Sequence, residues 1–193
     1  MNFSEAKNHI VGRLRNELAP DLHYHGWHHT LDVCRSVEKL AKKENVAGND
    51  LTLLRTAAYY HDAGFLEQYQ DNEPIAVRIA GEALPRFGYS ADQVGIVGGI
   101  ILATRIPQSP RTHLERVMCD ADLDYLGRGD FHAIAQGLQR ELMEHGLIRS
   151  ERQWNEIQLR FLEQHRYFTP TARAARELLK QKHLTEIRQL LAV

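Results

Sequence analysis

The sequence predicts an all-α fold, a compact bundle of eight or nine helices, from three observations. Nearly every segment repeats apolar residues at the helical spacing of three or four. Alternating apolar and polar runs, which are typical of strands, are almost absent. Glycine and proline residues interrupt the helical patterns at Gly88, Pro107–Pro110, Gly127–Gly129, Gly146 and Pro170.

The helices can be placed in chain order from these patterns. The first is expected over residues 3–18, ending before Pro20, and the second over residues 26–44. The third is expected to begin after Asn49 and Asp50, whose side chains can cap it, and to end near Gly64. Further helices are expected over residues 74–87, 91–104, 111–126, 130–145, 150–166 and 171–192. Thr169 is expected to cap the last of them.

Length and composition indicate how many domains the protein has and which kinds of partner it lacks. With 193 residues and no linker-like segment, we expect a single domain spanning residues 1–193. The formal net charge of −1 gives no reason to expect a nucleic-acid partner. No apolar run approaches the roughly eighteen residues of a membrane span, and the charged N-terminal segment is unlike a signal peptide. We therefore expect a cytoplasmic protein without a membrane partner, with Cys34 and Cys119 as reduced core thiols.

Histidines enter the apolar face of the second predicted helix. One stripe at spacings of three or four consists of His25, His29, Val33, Val37 and Leu40. His25 and His29 are therefore expected one turn apart on an inward face, whereas His28 lies nearer the edge. Buried imidazoles need partners for their ring nitrogens, and a metal ion, a carboxylate, a phosphate or backbone carbonyl groups would all serve.

Carboxylates enter two other apolar faces. In the third helix, His61 and Asp62 fall on the apolar side. In the sixth helix three aspartates alternate, and only Asp122 falls on the apolar stripe. Asp120 and Asp124 are expected on other faces, where solvent or local salt bridges satisfy them.

Two imidazoles and two carboxylates from three helices can form the ligand set of one divalent metal ion. The set has two nitrogens, two oxygens and no thiolate, which suits Mn²⁺, Fe²⁺, Co²⁺ or Zn²⁺, with Ni²⁺ and Mg²⁺ also open. On a six-coordinate ion, four protein ligands would leave two positions for water or substrate oxygens, as hydrolysis requires. For a histidine taken alone, a hydrogen bond in the core is the alternative.

The order of these residues resembles the H…HD…D pattern of the HD-domain superfamily of metal-dependent phosphohydrolases. The run Y-H-G-W-H-H-T-L-D-V at residues 24–33 is similar to one in cyclic-nucleotide phosphodiesterases. The runs A-Y-Y-H-D-A-G and D-A-D-L-D-Y-L are similar to the HD helix and to the A-D-x-L ending. The resemblance covers residues 20–127 and implies an all-α metal-binding core there, with the metal ligands His29, His61, Asp62 and Asp122. From their amphipathic pattern, the helices of residues 130–193 are expected to pack over this core.

The resemblance further implies roles around the metal ion. Some members hold two metals with two additional histidines, but the corresponding interval here contains only His113, so one metal ion is expected. His25 is the candidate general acid, with a hydrogen bond near the site as the alternative, since Gly26 replaces the asparagine common in phosphodiesterases. Asp62 would hold the metal ion and could also orient the attacking water.

Five further residues are weaker candidates for contact with the substrate, and each has an ordinary alternative. They are His28, Glu73, Arg105, Gln158 and His165. The alternatives are surface exposure for the first, favourable interactions with helix ends for the second and third, and core packing for the last two.

The predicted function is hydrolysis of a phosphate ester of a small nucleotide-like or other phosphorylated metabolite through metal-activated water. One alternative is a non-catalytic, metal- or nucleotide-binding regulatory module. Another is a cyclic-nucleotide-type phosphodiesterase. Monoester or diester chemistry, and a homodimer as the assembled form, stay open at this stage.

Overall fold

A computed structural model describes residues 1–192 as nine α-helices with three short 3-10 helices and no strand, which confirms the all-α prediction. The α-helices are α1 Phe3–Glu17, α2 Trp27–Lys43, α3 Gly48–Tyr60, α4 Asn72–Ala83, α5 Ala91–Ala103, α6 His113–Asp122, α7 Phe131–Glu144, α8 Glu151–Gln164 and α9 Pro170–Leu191. The 3-10 helices are Ala63–Leu66, Leu84–Phe87 and Asp124–Gly127.

Several helix ends differ from the predicted ones. α3, α4 and α6 each end several residues before the predicted end of the helix. A 3-10 helix follows each of them and ends within two residues of that predicted end. After α4 the reason is Pro85, which has no N–H to donate to the carbonyl of Gly81. α3 begins at Gly48, so Asn49 and Asp50 lie inside its first turn and do not cap it.

The start of α9 agrees with its prediction. The Thr169 hydroxyl accepts a hydrogen bond from the backbone N–H of Ala172 at 3.1 Å, and Pro170 occupies the first helical position. Proline is well suited to that position because its missing N–H would have no partner within the helix.

The helices enclose two hydrophobic cores. The first lies mainly among α1 to α6 and contains fully buried Ile10, Leu54 and Ile101. The second lies among α7, α8 and α9 and contains fully buried Phe131. Tyr24, just before α2, belongs to the second core, so the segment leading into α2 runs between the two.

Asp120 and Asp124 are buried, so the prediction that they face solvent was wrong, although Asp124 does have a local salt bridge with Arg128, at 3.8 Å. Asp120 accepts hydrogen bonds from the backbone N–H groups of Phe168 and Thr169, each at 2.7 Å. Asp124 accepts two from the guanidinium of Arg176, at 2.6 and 3.0 Å. The apolar pattern of the sixth predicted helix indicates that Asp120 and Asp124 face solvent. In the folded protein, the start of α9 and the residues before it cover both side chains.

The two cysteines are free thiols. Cys119 is fully buried and Cys34 partly buried. Burial raises the pKa of the Cys34 thiol to about 12 and that of Cys119 further, so both are protonated at neutral pH. Separately, no helix within residues 1–192 has both the length and the apolar character needed to cross a bilayer.

Candidate metal centre

Four side chains with nitrogen or oxygen donors meet where three helices begin or end. His29 lies in the first turn of α2, and Asp122 is the last residue of α6. His61 occupies the C-cap position of α3, and Asp62 follows it at the start of a 3-10 helix. The structure therefore brings together the four residues that were predicted as metal ligands.

Ligand atoms of His29, His61 and Asp62 all lie within 4.8 Å of one another, and Asp122 faces both imidazoles. His29 Nε2 lies 3.2 Å from Asp122 Oδ1 and 3.6 Å from Asp62 Oδ2. His61 Nε2 lies 3.2 Å from Asp62 Oδ2 and 3.5 Å from Asp122 Oδ1. Two donors about 2.1 Å from a common ion, at roughly 90° to 109° to each other, are separated by roughly 3.0–3.4 Å.

Two of these atoms lack any other partner. His61 Nε2 and Asp62 Oδ2 are buried and accept or donate no hydrogen bond within the described residues. The Nδ1–H of His61 donates to the carbonyl of Ala58 at 2.8 Å, so Nε2 is the ring atom that faces the carboxylates. Unpaired buried polar atoms are costly, and a divalent cation would satisfy both at once, so the residues fit such an ion.

The electrostatics of the site favour bound positive charge. Burial by itself would raise the pKa of Asp62 and of Asp122, but the facing imidazoles of His61 and His29 lower both pKa values below their ordinary range. Burial also opposes protonation of His61, yet the two carboxylates outweigh it and raise the pKa of that imidazole. The carboxylates therefore stay ionised, as metal ligands must be.

His25 lies beside these donors but precedes α2 and is not on the predicted helical stripe. Its ring centroid is 6.1 Å from that of His29, and both rings line one cavity. Gly26 is the N-cap residue between them, and a Cβ there would lie 2.9 Å from the Leu22 carbonyl oxygen. The two imidazoles thus meet through a tight turn that requires glycine.

Sequence reasoning missed the partner of His25, which is Glu141 in α7. The Glu141 side chain is fully buried, and its Oε1 lies 2.5 Å from His25 Nδ1 and accepts from the Tyr69 hydroxyl at 2.9 Å. Its Oε2 accepts the backbone N–H groups of Tyr24 and His25 at 2.8 and 3.0 Å. Burial raises the pKa of Glu141, but His25 and these N–H groups lower it to about 2, so Glu141 is a carboxylate.

A sequence signal for Glu141 did exist. It continues the stripe of Phe131, Ile134 and Leu138 at spacings of three or four, the same pattern that selected Asp122. Its partner is 116 positions away, so the sequence could mark a buried carboxylate but not what it binds.

Two of the weaker candidates line the same cavity as the metal donors. These are Glu73, in the first turn of α4, and Gln158, in α8. Burial raises the pKa of the Glu73 carboxyl, and the carboxylates of Asp62 and Asp122 add to the effect. Glu73 is therefore the carboxyl of this cavity that most readily holds a proton.

The other three weaker candidates do not line this cavity. His28 is exposed, and Arg105 is paired with Asp71 at the surface. His165 is buried, neither of its ring nitrogens has a partner within residues 1–192, and burial lowers its pKa to about 4. Contact of these side chains with a substrate stays a prediction.

Comparison with known proteins identifies the class to which this fold and site belong. Residues 26–124, about half of the chain, match the HD domain family, and the chain belongs to that family. The four predicted metal ligands lie within this match, and they include the His61-Asp62 pair. His25 immediately precedes the matched residues.

Two solved structures resemble the whole chain. One is a predicted HD superfamily hydrolase from an uncultured Thermotogales bacterium, with 21% identity and a TM-score of 0.63 over 98% of this chain and 91% of that one. The other is a Lactobacillus plantarum protein, with 19% identity and a TM-score of 0.70 over 100% of this chain and 99% of that one. At these identities the likeness shows the fold. No match was found among curated proteins.

Proposed function

We propose that this protein is a metal-dependent phosphohydrolase that cleaves a phosphate ester of a small metabolite. The observation that carries the proposal is the convergence of four donor side chains, with facing atoms 3.2–3.6 Å apart, on a cavity that also contains His25. A divalent ion held there supplies a Lewis acid for phosphoryl oxygens and lowers the pKa of water. Asp62 would also orient the attacking water.

His25 would supply the proton that the leaving oxygen needs. Because Nδ1 is held by Glu141, Nε2 is the ring atom left to exchange a proton with a substrate. The buried carboxylate of Glu141 holds Nδ1, and the ring of Phe65, stacked at 4.3 Å between centroids, fixes the plane of His25. Glu141 is therefore a positioning residue, which acts through His25.

Metal analysis combined with a hydrolysis assay tests the site. Purified protein supplied with Mn²⁺ or Co²⁺ is expected to bind one ion and to hydrolyse members of a panel of phosphate monoesters and cyclic diesters. His61→Ala is expected to lose both properties, because it deletes a ligand. His113→Ala changes an exposed histidine outside the cavity and should keep both. Unchanged metal content and hydrolysis in His61→Ala would contradict the proposal.

A second variant separates the proton donor from the ligands. His25→Gln is expected to keep its metal ion and its KM, while kcat falls roughly 10²–10⁴-fold. The loss should shrink for p-nitrophenyl phosphate, whose leaving oxygen needs no proton. If His25→Gln loses the metal ion together with activity, His25 is a ligand and the assigned role is wrong.

A further inference from the structure

The cavity beside the metal centre changes character away from the donors. Its far wall is built by α7, α8 and the 3-10 helix Asp124–Gly127. The side chains there include Leu126, Phe131, Leu138, Trp154, Ile157 and Phe161. All six belong to the second hydrophobic core or pack against it, so the apolar wall is part of the folded frame. The cavity has a volume of about 200 Å³, many times the roughly 10–15 Å³ that one water molecule needs, so it has room for a small organic group.

Charge in this cavity disfavours a second phosphate group. Within residues 1–192 no lysine or arginine lines it, and its carboxyl groups are Asp62, Glu73 and Asp122. Arg105, a weaker candidate for contact with the substrate, does not line the cavity and is paired with Asp71 at the surface. A phosphate is bound most strongly by cationic side chains, and the additional phosphates of a nucleoside di- or triphosphate would meet no lysine or arginine side chain in this lining.

Polar groups on the far wall are also few. Gln158 is the one polar side chain that α7 and α8 contribute to the lining. Its Nε2 already lies 3.4 Å from Asn155 Oδ1, in hydrogen-bond contact. A sugar and a base would bury several hydroxyl, amine and ring-nitrogen groups, and each of these costs free energy when it lacks a partner.

We propose that the preferred substrate is a phosphate monoester of an apolar alcohol, which rests on the proposed function. The phosphate would lie at the metal centre, and the aliphatic or aromatic part would contact the wall formed by α7 and α8. Ester and water would yield the free alcohol and inorganic phosphate. The bond between phosphorus and the alcohol oxygen breaks, and that oxygen takes its proton from His25.

A homologous series of substrates measures the contribution of the wall. On metal-loaded protein, kcat/KM is expected to rise roughly fourfold for each methylene from methyl to hexyl phosphate, until the wall is covered. Adenosine monophosphate should be hydrolysed less efficiently than hexyl phosphate. Equal kcat/KM for methyl and hexyl phosphate, or a preference for adenosine monophosphate, would overturn the assignment.

Two variants of α8 locate the effect. Phe161→Ala removes a ring from the wall and is expected to lower kcat/KM for hexyl phosphate about tenfold more than kcat/KM for methyl phosphate. Leu159→Ala is the matched control, because Leu159 packs against the same core but does not line the cavity. A similar hexyl-to-methyl ratio in both variants and the parent protein would show that the apolar part binds elsewhere.

A binding measurement separates this inference from the proposed function. Trp154 lines the cavity, and Trp27 is the only other tryptophan of the sequence. In Trp27→Phe, tryptophan fluorescence therefore comes from Trp154 alone and reports binding at the apolar wall. Hexylphosphonate, which cannot be hydrolysed, is expected to bind more tightly than methylphosphonate. Tighter binding without hydrolysis of any ester would overturn the proposed function and support the apolar ligand. Hydrolysis with equal binding of both phosphonates would overturn the apolar ligand alone.

Discussion

At the residue scale, one buried carboxylate beside the metal centre gathers several hydrogen bonds. Glu141 accepts hydrogen bonds from two backbone N–H groups, the Tyr69 hydroxyl and His25. Such a carboxylate is stabilised only in its ionised form, so its contribution to stability depends on pH.

We predict that Glu141 makes the protein sensitive to acid. Its pKa of about 2 in the folded state lies below its ordinary value of 4.5. The stabilisation is therefore fully present above pH 4.5 and is lost as the pH falls from 4.5 towards 2, on the order of 3 kcal/mol in total. Chemical denaturation at several pH values should show that Glu141→Gln is less stable at pH 7 and loses less stability between pH 5 and pH 3.

The control for this experiment lies one turn further along the same helix. Glu144 is exposed and pairs with Arg140 and His23, so Glu144→Gln should change stability little at any pH. If the free energy of unfolding changes with pH in the same way for Glu141→Gln and the parent protein, the pKa of Glu141 is not lowered by its partners and the prediction is wrong.

At the element scale, the metal centre depends on how the turn after α3 contacts the start of α4. Gly64, two residues after Asp62, packs so closely on α4 that a Cβ would overlap the carbonyl oxygen of Asn72. Glu73, the next residue of α4, lines the cavity. The contact between Gly64 and Asn72 therefore sets the position of α4 relative to the metal ligand Asp62.

We predict that Gly64→Ala separates these two elements. The free energy of unfolding should fall by about 1–3 kcal/mol, and metal affinity should fall with it, because Asp62 moves with the turn. Denaturation and metal titration would measure the two effects. Gly12→Ala is the control, since a Cβ there meets nothing within 4 Å in the interior of α1, and it should stabilise by up to about 1 kcal/mol. Unaltered metal affinity in Gly64→Ala would refute the coupling.

At the scale of the whole molecule, one site joins α2, α3 and α6 and lies against the second core. We predict that metal binding stabilises the entire fold, because the ligands come together only when these helices pack. An ion at one hundred times its Kd should add about 2.7 kcal/mol, and thermal unfolding with and without a chelator would show it. His61→Ala should show no such shift. A shift of equal size in His61→Ala would place the stabilising ion elsewhere.

The sequence by itself determined the helices and indicated the candidate ligand set. Burying an imidazole or a carboxylate without a partner is costly, so the positions of His29, His61 and Asp122 on apolar stripes were enough to indicate a site. The order of those residues then indicated the HD family. The spacing of apolar residues within each helix was sufficient to predict these features, because it shows which face of the helix is buried.

Only the tertiary structure decided which distant groups meet. It paired His25 with Glu141, buried Asp120 and Asp124 under the start of α9, and gave the cavity its apolar wall. These outcomes depend on contacts between residues far apart in the chain, and the periodicity of one helix holds no information about what packs against it.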